Sequence, residues 1–213
     1  MASHLYTWIK PVRESHIEQI CSVLRDDGVV ALALDVAWAF VCDAASSKAL
    51  DRIHRLKPEH PKNRPFSLIC SSISMASRVC AIDDSAYRWL KKSLPGPFTV
   101  ILDRHASLPR QIHDKRREVG LRIPDDPLVW AIVERLGHPL AASTIPVAQG
   151  EFGNGHPGFG TEVMDSWGHA IDLVVDLGDE SPRQETTIID LKGGVPELVR
   201  LGAGDPGLFG ISP

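Results

Sequence analysis

The apolar pattern from Gly28 to Asp43, GVVALALDVAWAFVCD, predicts two consecutive buried strands. Val29 to Leu34 carry no charge, nor do Val36 to Cys42. Strands covered on both faces read as continuous apolar runs, whereas half-buried strands alternate. Asp35 stands alone between them. A carboxylate there either lies at the mouth of a cleft with a partner or bonds its own backbone in a turn. The floor of a functional site is expected here.

Apolar spacing places the other elements. Ile17, Ile20, Val23 and Leu24 share one face of a helix over 13–27, closed by Gly28. Leu50, Ile53 and Leu56 predict a helix over 45–56, followed by a proline-broken basic loop, KPEHPKNR. Phe66 to Cys70 reads as a short strand. Asp83 caps a helix through Leu94, with Tyr87, Leu90 and Leu94 turned inward. Leu94-Pro95-Gly96-Pro97 cannot continue it.

Phe98 to Leu102 and Val119 to Ile123 are predicted strands, separated by the basic stretch Arg110 to Arg117. Pro127 to Leu136 is a helix closed by Gly137, and Leu140 to Ile145 a strand of small residues. Glu151 to Gly160, EFGNGHPGFG, shows no packing pattern and reads as a loop. Ile171 to Val175, Thr187 to Leu191 and Leu198 to Leu201 complete the strands. Helices and strands alternate without a repeat or a long linker. This predicts one α/β domain over residues 1–213, built on a mixed sheet.

Composition narrows the class. The 213 residues are 43% hydrophobic and 23% charged, an ordinary globular balance. No apolar run approaches the roughly 20 residues that span a bilayer, and MASHLYTWIK lacks the features of a signal peptide. A cytoplasmic protein without membrane contact is expected. Cys21, Cys42, Cys70 and Cys80 are widely spaced among apolar neighbours and read as core thiols. Nine histidines form no ligand spacing, so no metal site is expected.

Charge changes the picture more. The net value of −4 hides a segment, residues 48–122, with 16 Lys/Arg against 7 Asp/Glu. Such an excess in an acidic chain suggests a face for phosphates or RNA, or else solvated helix surfaces. Generic motifs add little. Gly153-x-Gly155-x-x-Gly158 and Gly202-x-Gly204-x-x-Gly207 match a dinucleotide fingerprint, yet each contains a proline and neither is expected to open a βαβ helix. No phosphate loop and no nucleophile elbow is present.

A run of strings in order does carry a resemblance: GVVALALDVAWAFVCDA, RIHRLKP with RPFSLIC, LPGPFTVIL, VGLRIPDDP, HPLAAST, ETTIID and ELVRLGAGD. Over nearly the whole chain this resembles the YrdC/YciO family. Its best-known members are threonylcarbamoyl-adenylate synthases, which join ATP, L-threonine and bicarbonate and release pyrophosphate in a tRNA modification. The resemblance implies a twisted open α/β sheet with flanking helices and a concave basic face linked to double-stranded RNA. Magnesium would come with ATP, and no cofactor would be held tightly.

Carried over position by position, the resemblance implies a nucleotide side made of Lys57, Thr99, Ser143, Thr144 and Arg200. It also implies a substrate side of Asp35, Arg122 and Thr187, with Thr186 beside it and Arg122 facing the threonine carboxylate. The plainer alternatives are strand threonines, surface cations, and an Arg122 paired with Asp125 or Asp126. No covalent intermediate is implied, so no catalytic nucleophile is identified.

Departures cluster. Where the family writes Pro-Thr-Asp-Thr-x-Tyr-Gly, this chain has Ala33-Leu34-Asp35-Val36-Ala37-Trp38-Ala39, keeping only the aspartate. Glu59 replaces the arginine of Lys-x-Arg unless Arg64 reaches back, and Ser-Ala-Asn becomes Thr144-Ile145-Pro146. These losses resemble the YciO branch. The expectation is a YciO-like RNA- and nucleotide-binding protein with an oily, degenerate threonine pocket. The alternatives are an active synthase or an enzyme for another carboxylate.

Overall fold

The protein is described by a computed structural model covering residues 1–7, 12–58, 66–105, 118–146 and 156–211. Arg64, Glu59, the basic stretch 110–117 and the first part of the glycine-rich segment lie outside the described residues.

The chain forms β1 (Ser3–Tyr6), α1 (Glu14–Arg25), β2 (Val30–Ala33), β3 (Trp38–Asp43), α2 (Ser47–Leu56), β4 (Ser67–Ile69), α3 (Ile73–Ala76) and α4 (Asp84–Ser93). It continues through β5 (Phe98–Asp103), β6 (Glu118–Arg122), α5 (Pro127–Leu136), β7 (Leu140–Thr144), α6 (Gly160–Trp167), β8 (Leu173–Asp176), β9 (Thr187–Asp190) and β10 (Glu197–Arg200). A short 3-10 turn, Pro206–Phe209, follows. All ten strands join one mixed sheet in the order β1-β8-β2-β3-β7-β4-β6-β5-β9-β10. The predicted α/β architecture is therefore present.

Local signals placed the helices. Asp83 caps α4 by accepting from the Ala86 amide at 2.7 Å, and Ser46 caps α2 by accepting from Ala49 at 3.0 Å. In α5, Asp126 caps the first turn, Pro127 starts it, and Gly137 ends it at a φ of 78° that favours glycine. One face differs from expectation. Tyr87 is exposed, because α4 turns Ala86, Leu90 and Ser93 to the core and leaves position 87 off that stripe.

The apolar run folds as an antiparallel hairpin, from Val30 opposite Val41 to Ala33 opposite Trp38, and residues 34–37 close it. Both strands are buried on both faces. Phe40 meets Trp167 of α6 edge-on at 5.2 Å, while Phe98 of β5 packs edge-on against Phe209, which stacks on Trp89 of α4. Gly204 is a packing glycine, since a Cβ there would lie 2.4 Å from the Phe98 ring. That explains one half of the second glycine motif without a nucleotide.

The four cysteines are buried and free, and burial pushes the Cys80 thiol up to about 12. Three elements lay outside the sequence reading. β1 is a half-exposed strand without alternation. α3 is a single turn. α6 starts two residues after Gly158, so a helix does follow the first glycine motif; its eight residues bury only Gly160 and Val163, too few to show a period. Among the described residues, no helix is long and apolar enough to cross a membrane.

Candidate functional site

Strand register sets which residues lie side by side on one face of the sheet. Ala142 of β7 pairs with Ser67 of β4, and Ser67 with Gly120 of β6. Thr99 of β5 pairs with Ile188 of β9, and Ile188 with Arg200 of β10. Side chains two apart along a strand share a face, so Thr99 stands opposite the buried Phe98 and Val100. Ser67, Ala142, Thr99, Ile188 and Arg200 line one hollow of about 220 Å³, joined by Lys57, Arg122, Ser143, Thr144, Glu185 and Thr186. Gly120 packs beside it, where a Cβ would come within 3.3 Å of Thr99 Cγ2.

Two polar clusters face each other across it. Lys57, at the end of α2, donates its ammonium to Ser143 Oγ at 3.0 Å and to the Thr144 carbonyl at 2.6 Å. On the far wall the hydroxyls of Thr99 and Thr186 lie 2.7 Å apart. Arg200 donates from Nη2 to the Thr186 carbonyl at 2.9 Å and from Nη1 to Glu185 Oε1 at 2.7 Å. Ammonium, guanidinium and hydroxyl donors converging on one concavity form a site for an anion with several oxygens.

Arg122, at the end of β6, donates from Nη2 to Asp35 Oδ1 at 2.7 Å. It therefore pairs with neither Asp125 nor Asp126 in the way its sequence neighbours suggested. The two side chains are 6% and 11% exposed, and Asp35 Oδ2 and Arg122 Nε have no hydrogen-bond partner among the described residues. Burial pushes the Asp35 carboxyl above its usual range, opposed by the guanidinium beside it. Burial likewise lowers Arg122, opposed by Asp35.

Of the residues named from sequence, Lys57, Thr99, Arg122, Ser143, Thr144 and Arg200 meet at this hollow, with Thr186. Asp35 reaches it only through Arg122. Thr187 is not placed there. It is fully buried on the opposite face of β9, donating to the Gly204 carbonyl at 2.6 Å and accepting from the Gly202 amide at 2.9 Å. Thr187→Val should thus cost about 2 kcal/mol by leaving two buried backbone groups unpaired, while ligand affinity at the hollow stays within about twofold. Urea unfolding and a binding titration on the same sample check both.

The oily wall is also corrected. Leu34, Val36 and Trp38 do not line this hollow. Trp38 is fully buried and donates its indole N–H to the Gly158 carbonyl at 3.1 Å, and Val36 accepts from the Gln184 amide. These side chains and backbone groups hold the segments entering α6 and β9. That network continues through Glu162, which accepts from the Gly158 amide at 2.6 Å and pairs with Arg183.

Two titratable lining residues escaped the sequence reading. His156 holds its Nδ1 3.2 Å from the Ile145 carbonyl, which makes Nδ1 the donor and leaves Nε2 as an acceptor in the neutral ring. Glu185 is the one carboxylate among the described lining residues. Strand phase would have distinguished Thr186 from Thr187, but nothing in the sequence connects Glu185 to Arg200.

Comparison with known proteins agrees with the geometry. The family model Sua5/YciO/YrdC, described as telomere recombination, matches residues 22–202. The YciO protein of Escherichia coli (strain K12) is 31% identical over 190 residues, spanning 89% of this chain and 90% of the relative. The threonylcarbamoyl-AMP synthase of Mus musculus is 28% identical over 210 residues, spanning 96% of this chain and 66% of the relative. The crystal structure of E. coli YciO superposes with a TM-score of 0.88 at 29% identity, over 98% of this chain and all of the other (100%). P. abyssi Sua5 complexed with L-threonine shares the fold at a TM-score of 0.80 and 23% identity, over 95% of this chain and 57% of the other.

Proposed function

The chain belongs to the Sua5/YciO/YrdC family, and from that premise we propose that it is a YciO-like nucleotide- and RNA-binding protein with little threonine activation. The family's kinship with threonylcarbamoyl-AMP synthases ties it to tRNA threonylcarbamoylation. One observation carries the reading: Lys57, Arg122 and Arg200 converge with the hydroxyls of Thr99, Ser143, Thr144 and Thr186 on a single hollow. A volume of about 220 Å³ is below the roughly 300–1,000 Å³ of whole-ligand pockets. It accommodates the phosphates of ATP, with the base outside. Magnesium would enter on the nucleotide and neutralise phosphate charge.

Weak threonine activation is supported by the sequence, in which Leu34 and Val36 replace the two threonines that flank the family's aspartate. The RNA part rests on the excess of 16 Lys/Arg over 7 Asp/Glu in residues 48–122. The active synthase remains the competing reading, since the same donors fit its substrates.

Titration with MgATP tests the site, and pyrophosphate release with ATP, threonine, bicarbonate and magnesium separates the two readings. Binding with turnover below about 0.1 per second is expected; a rate in the ordinary enzyme range would establish the synthase instead. Absence of nucleotide binding would overturn the proposal. Duplex RNA binding should weaken steeply between about 50 and 200 mM salt, through counterion release. A flat dependence would remove RNA as a partner.

A further inference from the structure

Arg200 has a partner on each of its three nitrogens. Its Nε and Nη2 bond the Thr186 carbonyl at 3.3 and 2.9 Å, and Nη2 also lies 3.3 Å from Thr186 Oγ1. Its Nη1 bonds Glu185 Oε1 at 2.7 Å. The Thr186 contacts fix the guanidinium against the strand. Glu185 is different: its side chain is anionic, 47% exposed, and lines the hollow itself. A phosphate oxygen that accepts from Nη1 meets the Glu185 carboxylate already bound there.

We propose that Glu185 is an internal competitor for phosphate, and that it tunes the hollow toward ligands of low net negative charge. The inference rests on the nucleotide reading above and assigns the discrimination to one side chain. Two effects act together. Glu185 competes with phosphate for Nη1, and wherever the carboxylate rests it repels the bound anion. Repulsion between fixed charges scales with the charge of the ligand. Free ATP carries about four negative charges and MgATP about two, so the carboxylate disfavours the free nucleotide more strongly. Lys57 and Arg122 attract both forms, but Arg122 is already offset by Asp35. The balance of the hollow is consequently sensitive to a single carboxylate.

Glu185→Gln tests this, because the amide oxygen can still accept from Arg200 while the charge is gone. Wild type and variant are titrated with free ATP in chelator, with MgATP, and with neutral adenosine. The variant should bind free ATP about tenfold tighter, MgATP about threefold tighter, and adenosine equally well. A merely structural role for Glu185 would move all three ligands alike. Equal changes for the three ligands, or weaker binding of free ATP by the variant, would overturn the inference while leaving the nucleotide site in place. If wild type binds neither form of ATP, the underlying reading falls, and this one with it.

Discussion

Arg122→Met should lower folding stability by about 3 kcal/mol at neutral pH, in line with the loss of one partner of a buried ion pair, and the deficit should shrink as the pH falls. Methionine retains most of the arginine stem, so the change isolates the guanidinium. Asp35 is then buried without a cation. Its carboxyl, already raised by burial, rises further because the one nearby charge that lowers it is gone.

The direction of the pH effect follows from proton counting. The unfolded chain releases the Asp35 proton near the ordinary aspartate value of about 3.9, while the folded variant keeps it to a higher pH. Between those two points the native state binds more protons than the unfolded state. Stability then falls as pH rises, by up to about 1.4 kcal/mol per unit. Wild type has the same sign over a narrower window, because Arg122 opposes the shift. Urea unfolding of both proteins at several points between about pH 4 and 8 measures the difference. A deficit of constant size across that range would show that the pair contributes packing and not charge compensation.

Lys57→Ala combined with Arg200→Ala should weaken binding of ATP, and of inorganic pyrophosphate, by about a hundredfold. Hydrogen bonds from charged donors contribute about 1.5–3 kcal/mol each, and the lower value twice over corresponds to that ratio. Calorimetric titration of the double variant against wild type checks this, with circular dichroism confirming the fold. Retention of wild-type affinity by the double variant would mean that phosphates bind elsewhere.

Much of this protein could be read from short-range pattern. Asp83 and Gly137 marked helix ends in the sequence, and Ser46 and Asp126 cap two more, because a cap acts within one turn of the chain. The continuous apolar runs around Asp35 became a hairpin buried on both faces because nothing polar in them could face water. Six site residues came through the family resemblance and do meet at one hollow. What failed locally was α6, too short and too little buried to show a period, and Tyr87, one position off the buried stripe.

The sequence alone determined the kinds of elements, their order, and the supply of cations and hydroxyls available to an anion. Only the folded sheet decided which of them share a surface. Thr186 and Thr187 are adjacent in sequence, yet one lines the hollow and the other clamps Gly202 and Gly204, because successive side chains of a strand point to opposite faces. Asp35 and Arg122 are separated by 87 positions in sequence and by two strands of the sheet, β7 and β4, and only the folded chain brings the hairpin turn to the end of β6. Glu185 reaches Arg200 because β9 and β10 pair antiparallel. Element type follows from periods and caps within a few residues, whereas the partner of a charge depends on register and strand order across the whole sheet.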